Sequence, residues 1–502
     1  MMIAQVLTLA LVATPGETVW NELQSRWRPR LEPLLTEVLA FPTVWTDQEA
    51  LAAQRRWLAR VGPELGFVVR DRETMTEVDL PGPEGAPVLG LVVHGDLQPV
   101  TASEWTVPPF AATFKDGAVW GRGAADDKGP LAQALLVMAA LRTSGVARTH
   151  TVRLLVGTDE EHGAEDMETY KKKHALPDLS LVLDSDFPVV VGEKAWAEWV
   201  ILAQERTAPA TGSVEVADLS AGQAVSIVPD VATLTLRWRS GTPDWERWLR
   251  PVRAAKLPAD TTLEIRGTGG ERTVVARGRA AHAGVGLRRG RNALVALAVA
   301  MHGRLPPCAA SDLLEYVHAA GRDSAGRGLG LPPPDPLWGP VDTNFGVLGR
   351  EGNGWFGLRV NLRSPPSLWG DALRARVDAH AQAFAARRGA RFIAGGRFGY
   401  EPFVVPTDAP LVQRLLAAYA RGTGRPGKPV VSAGGTYAQR MTNTVPFGMW
   451  FREDGIYPGH ASDERMPIRS LELGMHALAE AVGDLATSPP IAHPLETPTS
   501  RP

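Results

Sequence analysis

The sequence of 502 residues contains a single cysteine, Cys308, which excludes an internal disulfide and a cysteine-based zinc site. It also lacks an excess of charge, because 53 Lys and Arg stand against 55 Asp and Glu. Such a balance gives no reason to expect a nucleic-acid or anionic-membrane partner. What is present, 44% hydrophobic and 22% charged residues without a long biased tract, is typical of a folded soluble protein.

The one apolar run at the start of the chain, MMIAQVLTLALVA, is too short to span a membrane. It resembles the core of a signal peptide that ends in a small residue, which predicts an exported protein, periplasmic or secreted. However, the positive n-region is missing, and Leu11 suits the position before a cleavage site poorly. An apolar N-terminal helix of a cytoplasmic protein is the alternative, and both interpretations stay open.

The length exceeds what one hydrophobic core usually supports, so we expect two domains. Apolar residues at three- and four-residue spacing predict helices over Val19–Leu39 and Asp47–Leu65. A continuous apolar run at 87–93 has no alternation, which is typical of a parallel strand buried on both faces. Similar strands are predicted at 151–157 and 179–184.

Acidic and histidine side chains follow these strands, at the edge where α/β sheets place their ligands. They are His94, Asp96, Glu160, Glu161 and Asp184.

The pattern changes near residue 197, where alternating apolar and polar residues predict antiparallel strands with one solvated face. We interpret this part as an α+β domain inserted into an α/β domain whose sheet is mostly parallel. The predicted segments are a signal peptide at 1–18, a catalytic domain at 19–196 and 371–487, an inserted lid domain at 197–370, and a disordered Pro-rich tail at 488–502.

Each candidate side chain has an ordinary explanation when it is taken alone. Asp126 and Asp127 precede a predicted helix and could simply meet its dipole. Glu160 and Glu161 could form a solvated loop pair, and His460 could lie in a surface loop. Together, two histidines and several acids at strand ends of one domain favour a metal site, in which Asp126 could bridge two ions.

The stretches H-G-D, G-R-G-x-x-D-D-K-G, T-D-E-E, D-S-D-F-P, A-H-A, G-G-T-Y-A and G-H-x-x-D-E resemble the M20 family of dinuclear zinc peptidases. The resemblance extends from about Leu39 to Ala486 and is strongest to the PepV-type (Xaa-His, or carnosinase-like) bacterial dipeptidases. It implies an α/β, mostly parallel-sheet catalytic domain that binds two divalent metal ions and carries an inserted α+β lid domain.

The resemblance also implies roles for individual residues. The ions are zinc, with manganese or cobalt as alternatives, because nitrogen and oxygen ligands accept all three. The implied ligands are His94 and Asp184 for one ion, Glu161 and His460 for the other, and Asp126 as a bridge through a cis Asp126–Asp127 peptide.

In the implied mechanism, Glu160 is the general base for a metal-bridging hydroxide, and Asp96 supports His94. The inserted domain contributes His282 to stabilise the oxyanion and Arg363 to bind the substrate carboxylate. Further substrate contacts are implied for Asn344 and for Gly435 of the G-G-T-Y-A stretch.

An Asp at position 184 goes with dipeptidases and aminopeptidases of this family, so a small peptide is the expected substrate. The long inserted domain resembles that of the monomeric members, which implies a monomer without nucleic-acid or membrane partners. Ser226 and Gln439 depart from the family pattern where Asn and Arg are usual, in regions that contact substrate. An amidohydrolase, deacylase or carboxypeptidase acting on N-acyl amino acids is the alternative. A non-catalytic binding protein is disfavoured because no expected ligand or base is missing.

Overall fold

The computed structural model describes residues 13–206, 214–352, 354–455 and 457–497. The chain divides into two compact units, each built from separate segments. Unit 1 takes the described parts of Met1–Val191, Val405–Val430 and Thr436–Pro502, and unit 2 takes those of Gly192–Val404 and Val431–Gly435.

The α-helices, in chain order, are α1 Pro15–Glu22, α2 Leu31–Leu39, α3 Gln48–Glu64, α4 Lys128–Thr143, α5 Glu165–Lys173, α6 Trp245–Arg253, α7 Ala293–Met301, α8 Ala309–Ala320, α9 Asp371–Arg388, α10 Pro410–Thr423 and α11 Ile468–Thr487. The strands are β1 Val68–Asp71, β2 Met75–Leu80, β3 Val88–His94, β4 Thr113–Lys115, β5 Ala118–Trp120, β6 Thr151–Gly157, β7 Leu179–Val182, β8 Ser185–Asp186, β9 Val190–Glu193, β10 Ala195–Gln204, β11 Val214–Ala221, β12 Val231–Trp238, β13 Thr262–Arg266, β14 Glu271–Arg277, β15 Asp342–Glu351, β16 Trp355–Ser364, β17 Phe392–Tyr400, β18 Phe403–Val404, β19 Val430–Ser432, β20 Thr444–Pro446, β21 Met449–Trp450 and β22 Arg465–Pro467.

Unit 1 is organised on a six-stranded sheet with the order β1-β2-β6-β3-β7-β20. The four strands from β6 to β20 are parallel, and β2 and β1 are added antiparallel at one edge. The apolar runs of β3, β6 and β7 are buried, which confirms the parallel core predicted from the sequence. His94 lies opposite Gly157, and Val92 lies opposite Val182, so the chain leaves all three strands at the same edge.

The N-terminal helical pattern is real but interrupted. Helix α1 passes into a short π-helical turn and then a 3₁₀ turn before α2 begins at Leu31. The 3₁₀ turn contains Pro29, which has no backbone N–H to donate to a continuing α-helix. Gly16 of α1 packs directly against α11, where a methyl group on Gly483 would lie 2.5 Å from the Gly16 Cα.

Unit 2 contains an eight-stranded antiparallel sheet with the order β13-β14-β12-β11-β15-β16-β10-β17. Alternate side chains of β10 and β12 are buried in a core shared with α7, α8 and α9. The unit extends to Val404, past the boundary at residue 370 expected from the sequence. Long-range pairing accounts for the difference, because β17 pairs with β10 over eight residue pairs and brings α9 with it.

Strand β20 joins the large sheet of unit 1, and β19 lies in a separate three-stranded sheet with β9 and β18. The disorder expected for the tail needs correction. The tail from residue 488 has no helix or strand up to 497, yet the Leu411 N–H donates to the Pro494 carbonyl oxygen, so this part packs on α10.

The apolar start of the predicted signal peptide, residues 1–12, and the end of the tail, residues 498–502, lie outside the described residues. Among the residues that are described, no helix is both long enough and apolar enough to cross a bilayer.

Candidate metal centre

The predicted metal ligands come together at the carboxyl edge of the parallel sheet of unit 1. Three chain segments leave the sheet at this edge, after β3, β6 and β7, and two loops from elsewhere in the unit join them. One loop precedes α4, and the other precedes β22. In this order, the segments carry His94, Glu160 with Glu161, Asp184, Asp126 and His460.

Asp126 lies between two histidines that come from distant parts of the sequence. Its Oδ1 is 2.9 Å from Nε2 of His94, and its Oδ2 is 3.1 Å from Nε2 of His460. The Asp126–Asp127 peptide is cis, as the resemblance implied. Each oxygen of one carboxylate therefore faces a different imidazole, which is the arrangement that a carboxylate shared by two ions requires.

Two more acids complete the set around these histidines. Glu161 Oε2 lies 2.8 Å from Nε2 of His460, and Asp184 Oδ2 lies 3.8 Å from Nε2 of His94. Both histidines thus face Asp126, and each also faces one further carboxylate, Asp184 for His94 and Glu161 for His460. The resemblance implied the same pairs.

Asp96 and Asp127 hold His94 from two directions. The Nδ1 atom of His94 lies 3.4 Å from Oδ1 of Asp96 and 3.1 Å from its carbonyl oxygen. The Asp127 carboxylate accepts the His94 backbone N–H at 3.1 Å, and this contact ties the start of α4 to the end of β3. These contacts leave Nε2 of His94 facing Asp126 and Asp184.

The loop after β6 is fixed by hydrogen bonds to acidic side chains. The two carboxylate oxygens of Asp96 accept the backbone N–H groups of Glu160, at 3.3 Å, and Glu161, at 3.0 Å. At the start of the loop, the Thr158 N–H donates to Oδ2 of Asp166 at 2.7 Å. The same oxygen accepts a hydrogen bond from the Tyr437 hydroxyl at 2.5 Å. The loop is therefore preorganised before any ligand binds.

Sequence reasoning missed the role of Glu464, which is fully buried and anchors the loop that carries Asp126. Its Oε1 accepts hydrogen bonds from the backbone N–H groups of Gly123, Ala125 and Asp126. Its Oε2 accepts a hydrogen bond from Nη1 of Arg122 at 2.7 Å. The signal was the final E of the G-H-x-x-D-E stretch, which the sequence analysis quoted without assigning it a task.

The electrostatics of the centre show how strongly its groups interact. Burial would lower the pKa of His94, but its hydrogen bonds with Asp126 and Asp96 raise that pKa well above its usual range. Burial would also lower the pKa of His460, but the negative charge of Glu161 and the hydrogen bond with Asp126 raise this pKa well above its usual range. Conversely, the hydrogen bonds with His460 and His94 hold the pKa of Asp126 well below normal despite its burial.

The pKa values of Glu160 and Asp184 are raised, as expected for buried carboxyl groups that lie close to other acids. Burial raises the pKa of Glu160, and the negative charge of Asp184 raises it further. Burial also raises the pKa of Asp184, and the charges of Asp127 and Asp126 add to the shift. Unlike the carboxylates of Asp126 and Glu161, the Glu160 carboxylate makes no hydrogen bond or ion pair with the described residues, and only its backbone N–H is bonded.

The donor set fits divalent metal ions. One group, His94, Asp126 and Glu161, and another, His94, Glu160 and Asp184, each offer ligand atoms within 4.8 Å of one another. All the donors are imidazole nitrogens or carboxylate oxygens, which suit zinc, manganese and cobalt. Because three or more buried acids would repel one another without compensation, cations are also favoured on electrostatic grounds.

The remaining predicted residues, His282, Asn344, Arg363 and Gly435, belong to unit 2. Arg363 is 4% exposed, and its guanidinium contacts the Tyr400 hydroxyl and lies 3.3 Å from Oδ1 of Asn361. Asn344 donates to the carbonyl oxygens of residues 225 and 227, on either side of the departure at Ser226.

The loop after His282 approaches the segment that contains Gly435. A methyl group on Gly284 would lie 3.1 Å from the Ala433 carbonyl oxygen, and one on Gly434 would lie 3.0 Å from Val285 Cγ1. Within unit 2, the structure therefore brings the loop of His282 beside the first part of the G-G-T-Y-A stretch.

Histidines and acids that converge at the carboxyl edge of a parallel sheet define a class of metal-dependent α/β enzymes. The model of the peptidase family M20/M25/M40 matches residues 90–484, so the chain belongs to this family. It is accordingly a peptidase, an enzyme that hydrolyses peptide bonds.

Curated relatives match along most of the chain. The putative dipeptidase YtjP of Bacillus subtilis is 26% identical over 442 residues, which cover 87% of this chain and 91% of that protein. The Beta-Ala-Xaa dipeptidase of Lactobacillus delbrueckii subsp. lactis is 28% identical over 401 residues, which cover 79% of this chain and 82% of the relative.

Solved structures show the same fold. Human carnosine dipeptidase 1 aligns with a TM-score of 0.59 at 14% identity, covering 94% of this chain and 99% of the other. The aminoacylhistidine dipeptidase of Vibrio alginolyticus aligns with a TM-score of 0.54 at 15% identity, covering 93% and 99%. Both confirm the α/β architecture.

Glu464→Gln tests the buried anchor of the Asp126 loop. The substitution removes the charge paired with Arg122, and we expect a loss of about 3–5 kcal/mol in the free energy of unfolding because a buried cation is left without its partner. Metal affinity should fall about 10–100-fold, since Asp126 loses its support. Denaturant titration and metal dialysis measure the two effects. Glu453→Gln, in an exposed pair with Arg425, is the matched control and should change neither.

Metal binding is expected to release protons. The raised pKa values of His94 and His460 keep both rings protonated to a higher pH than usual, whereas a metal ligand must be neutral. Affinity should therefore fall as the pH decreases below these raised values. Calorimetric titration of metal-free protein at pH 7, in two buffers with different heats of ionisation, measures the protons released. A binding heat that does not depend on the buffer would contradict this assignment.

Proposed function

We propose that the protein is a dipeptidase that depends on two divalent metal ions, with Glu160 as the general base. The observation that carries the proposal is the Glu160 carboxylate, which stands beside the histidine–acid cluster without a partner of its own among the described side chains. A carboxylate without a fixed hydrogen-bond partner beside the proposed metal ligands is available to accept and return a proton. The names of the two curated relatives and Asp184 at its position support a dipeptide substrate.

His94 and Asp184 would hold one ion, Glu161 and His460 the other, and Asp126 both. The ions are proposed to be zinc, with manganese or cobalt as alternatives. When bound, such ions acidify water and polarise a carbonyl group.

In this proposal, Glu160 accepts a proton from the attacking water and returns a proton to the leaving amine. Its raised pKa suits both tasks, because the group has to release its proton again in the second step. Asp96 orients Glu160 by accepting its backbone N–H, and the same carboxylate supports His94, so one side chain positions a base and a ligand. The hydrogen bond between Asp166 and Tyr437 stiffens the loop behind them.

Residues of unit 2 are proposed to bind and polarise the substrate. His282 would stabilise the oxyanion, and Arg363 would pair with the carboxylate of the dipeptide. Arg363 suits this task because its guanidinium is held in place by the Tyr400 hydroxyl and Asn361. Asn344 and Gly435 would complete the contacts. Asn344 already fixes the carbonyl groups around Ser226, which gives it a structural task as well.

Glu160→Gln separates chemistry from metal binding. The amide keeps the size of the side chain but cannot accept the proton, so kcat for dipeptides should fall about 10²–10⁴-fold. The two-ion content measured by mass spectrometry of the metals should stay unchanged. Glu165→Gln alters an exposed glutamate a few residues further along the chain and should keep full activity. Retained turnover in Glu160→Gln would reject its role as the base.

A substrate panel separates the dipeptidase from an N-acyl amidohydrolase. Free dipeptides, β-Ala-Xaa peptides, the same peptides with an acetylated amine, and N-acyl amino acids are compared by kcat/KM in the metal-loaded enzyme. We expect the free dipeptides to be hydrolysed and the acetylated ones to be poor substrates. The reverse order would assign the protein to the N-acyl amidohydrolases, and the departures at Ser226 and Gln439 would then mark the change in substrate.

A further inference from the structure

A second cluster of metal-ligating side chains lies within unit 2, formed by His302, Glu315 and His318. Each residue offers one ligand atom, and the three atoms lie within 4.8 Å of one another. His302 directly follows α7, and the other two residues lie on α8. The cluster shares no residue with the centre in unit 1.

The helix α8 presents its two ligands at the right spacing. Glu315 and His318 are three residues apart, so they occupy one face of the helix. Glu-x-x-His on a helix is a recurrent arrangement in which a carboxylate and an imidazole bind one ion. The third donor arrives from the end of α7, where Nδ1 of His302 lies 2.6 Å from Oε2 of Glu315.

Glu315 is already oriented by the backbone. Its Oε1 accepts the Gly303 N–H at 2.7 Å, which leaves Oε2 for His302 or an ion. A hydrogen bond to the second oxygen is the kind of support that holds a ligating carboxylate in place. Glu315 is 8% exposed, so the carboxylate is fixed at the base of the cluster while His302 reaches it from the surface.

The two imidazole rings stack, with centroids 3.8 Å apart and planes inclined by 15°. Parallel rings cannot direct their in-plane lone pairs at one point, so one ring has to turn for both to bind the same ion. His302 can do this because its side chain is 54% exposed, whereas Glu315 keeps its place. The same two rings that stack without an ion then enclose it.

We propose that His302, Glu315 and His318 bind one transition-metal ion of the zinc class. Two imidazoles and one carboxylate suit Zn²⁺, Co²⁺, Ni²⁺ or Cu²⁺, whereas Ca²⁺ and Mg²⁺ prefer oxygen ligands. A water molecule would occupy the fourth position of a tetrahedral ion. The ion would join the end of α7 to the C-terminal half of α8, and both helices contribute to the core of unit 2.

The test counts zinc ions on the full-length protein. Wild type and His302→Gln are dialysed against the same free Zn²⁺ concentration, and the zinc bound per chain is measured by mass spectrometry of the metals. Wild type should bind one ion more than His302→Gln. The exposed His493–Glu496 pair offers a matched control, because it has no second histidine. His493→Gln should therefore bind as many ions as wild type.

Equal zinc contents in wild type and His302→Gln would overturn the proposal. The exposed position of His302 keeps this variant folded, and His318→Gln repeats the comparison from the other helix. The difference does not depend on the centre in unit 1. If that centre binds no metal, all the counts decrease together, but wild type still exceeds His302→Gln by one ion.

Discussion

The candidate active site depends on the contacts that the Asp126 carboxylate makes with two histidines. Its two oxygens face His94 and His460, which come from segments far apart in the sequence. A shared carboxylate works only if its position is fixed to within a fraction of an ångström, and the protein fixes it through the backbone. Glu464 accepts the N–H group of Asp126 itself and those of two residues before it. The negative charge used for this anchoring is balanced by Arg122, away from the ligand atoms.

A concentration of acids such as this one is costly to bury. Asp126, Asp127, Glu160 and Asp184 lie close enough for their charges to perturb one another. The pKa values of the two histidines and of Asp127, Glu160 and Asp184 are all raised, so the uptake of protons becomes easier where this much negative charge is buried. The parallel sheet contributes by bringing His94, Glu160, Glu161 and Asp184 to one edge.

The sequence predicted the parts of the fold that depend on local pattern. The uninterrupted apolar runs of β3, β6 and β7 predicted a buried parallel sheet, and the residues that follow those strands predicted where histidine and acidic side chains would gather. The sequence alone could not predict that β17 pairs with β10, because the pairing of distant strands leaves no local signal. The extent of unit 2 was therefore underestimated.

The role of Glu464 was hidden for a similar reason. An Asp-Glu pair in a loop normally indicates a solvated surface, and only the fold shows that its Glu is buried against three backbone N–H groups far away in the sequence. In contrast, the proximity of Asp96 to His94 is local, because only Gly95 separates the two residues in the sequence. Its additional contacts with the Glu160–Glu161 loop again required the fold.

The order of the ligands along the chain has a consequence for biosynthesis. Glu161 is made before Gly192–Val404, the long segment of unit 2, and its partner His460 is made after it. A ribosome that has completed Gly192–Val404 has therefore produced only part of the proposed metal centre, which still lacks His460. In the proposed assignment, the second ion gains both of its own ligands only after this long segment has been synthesised.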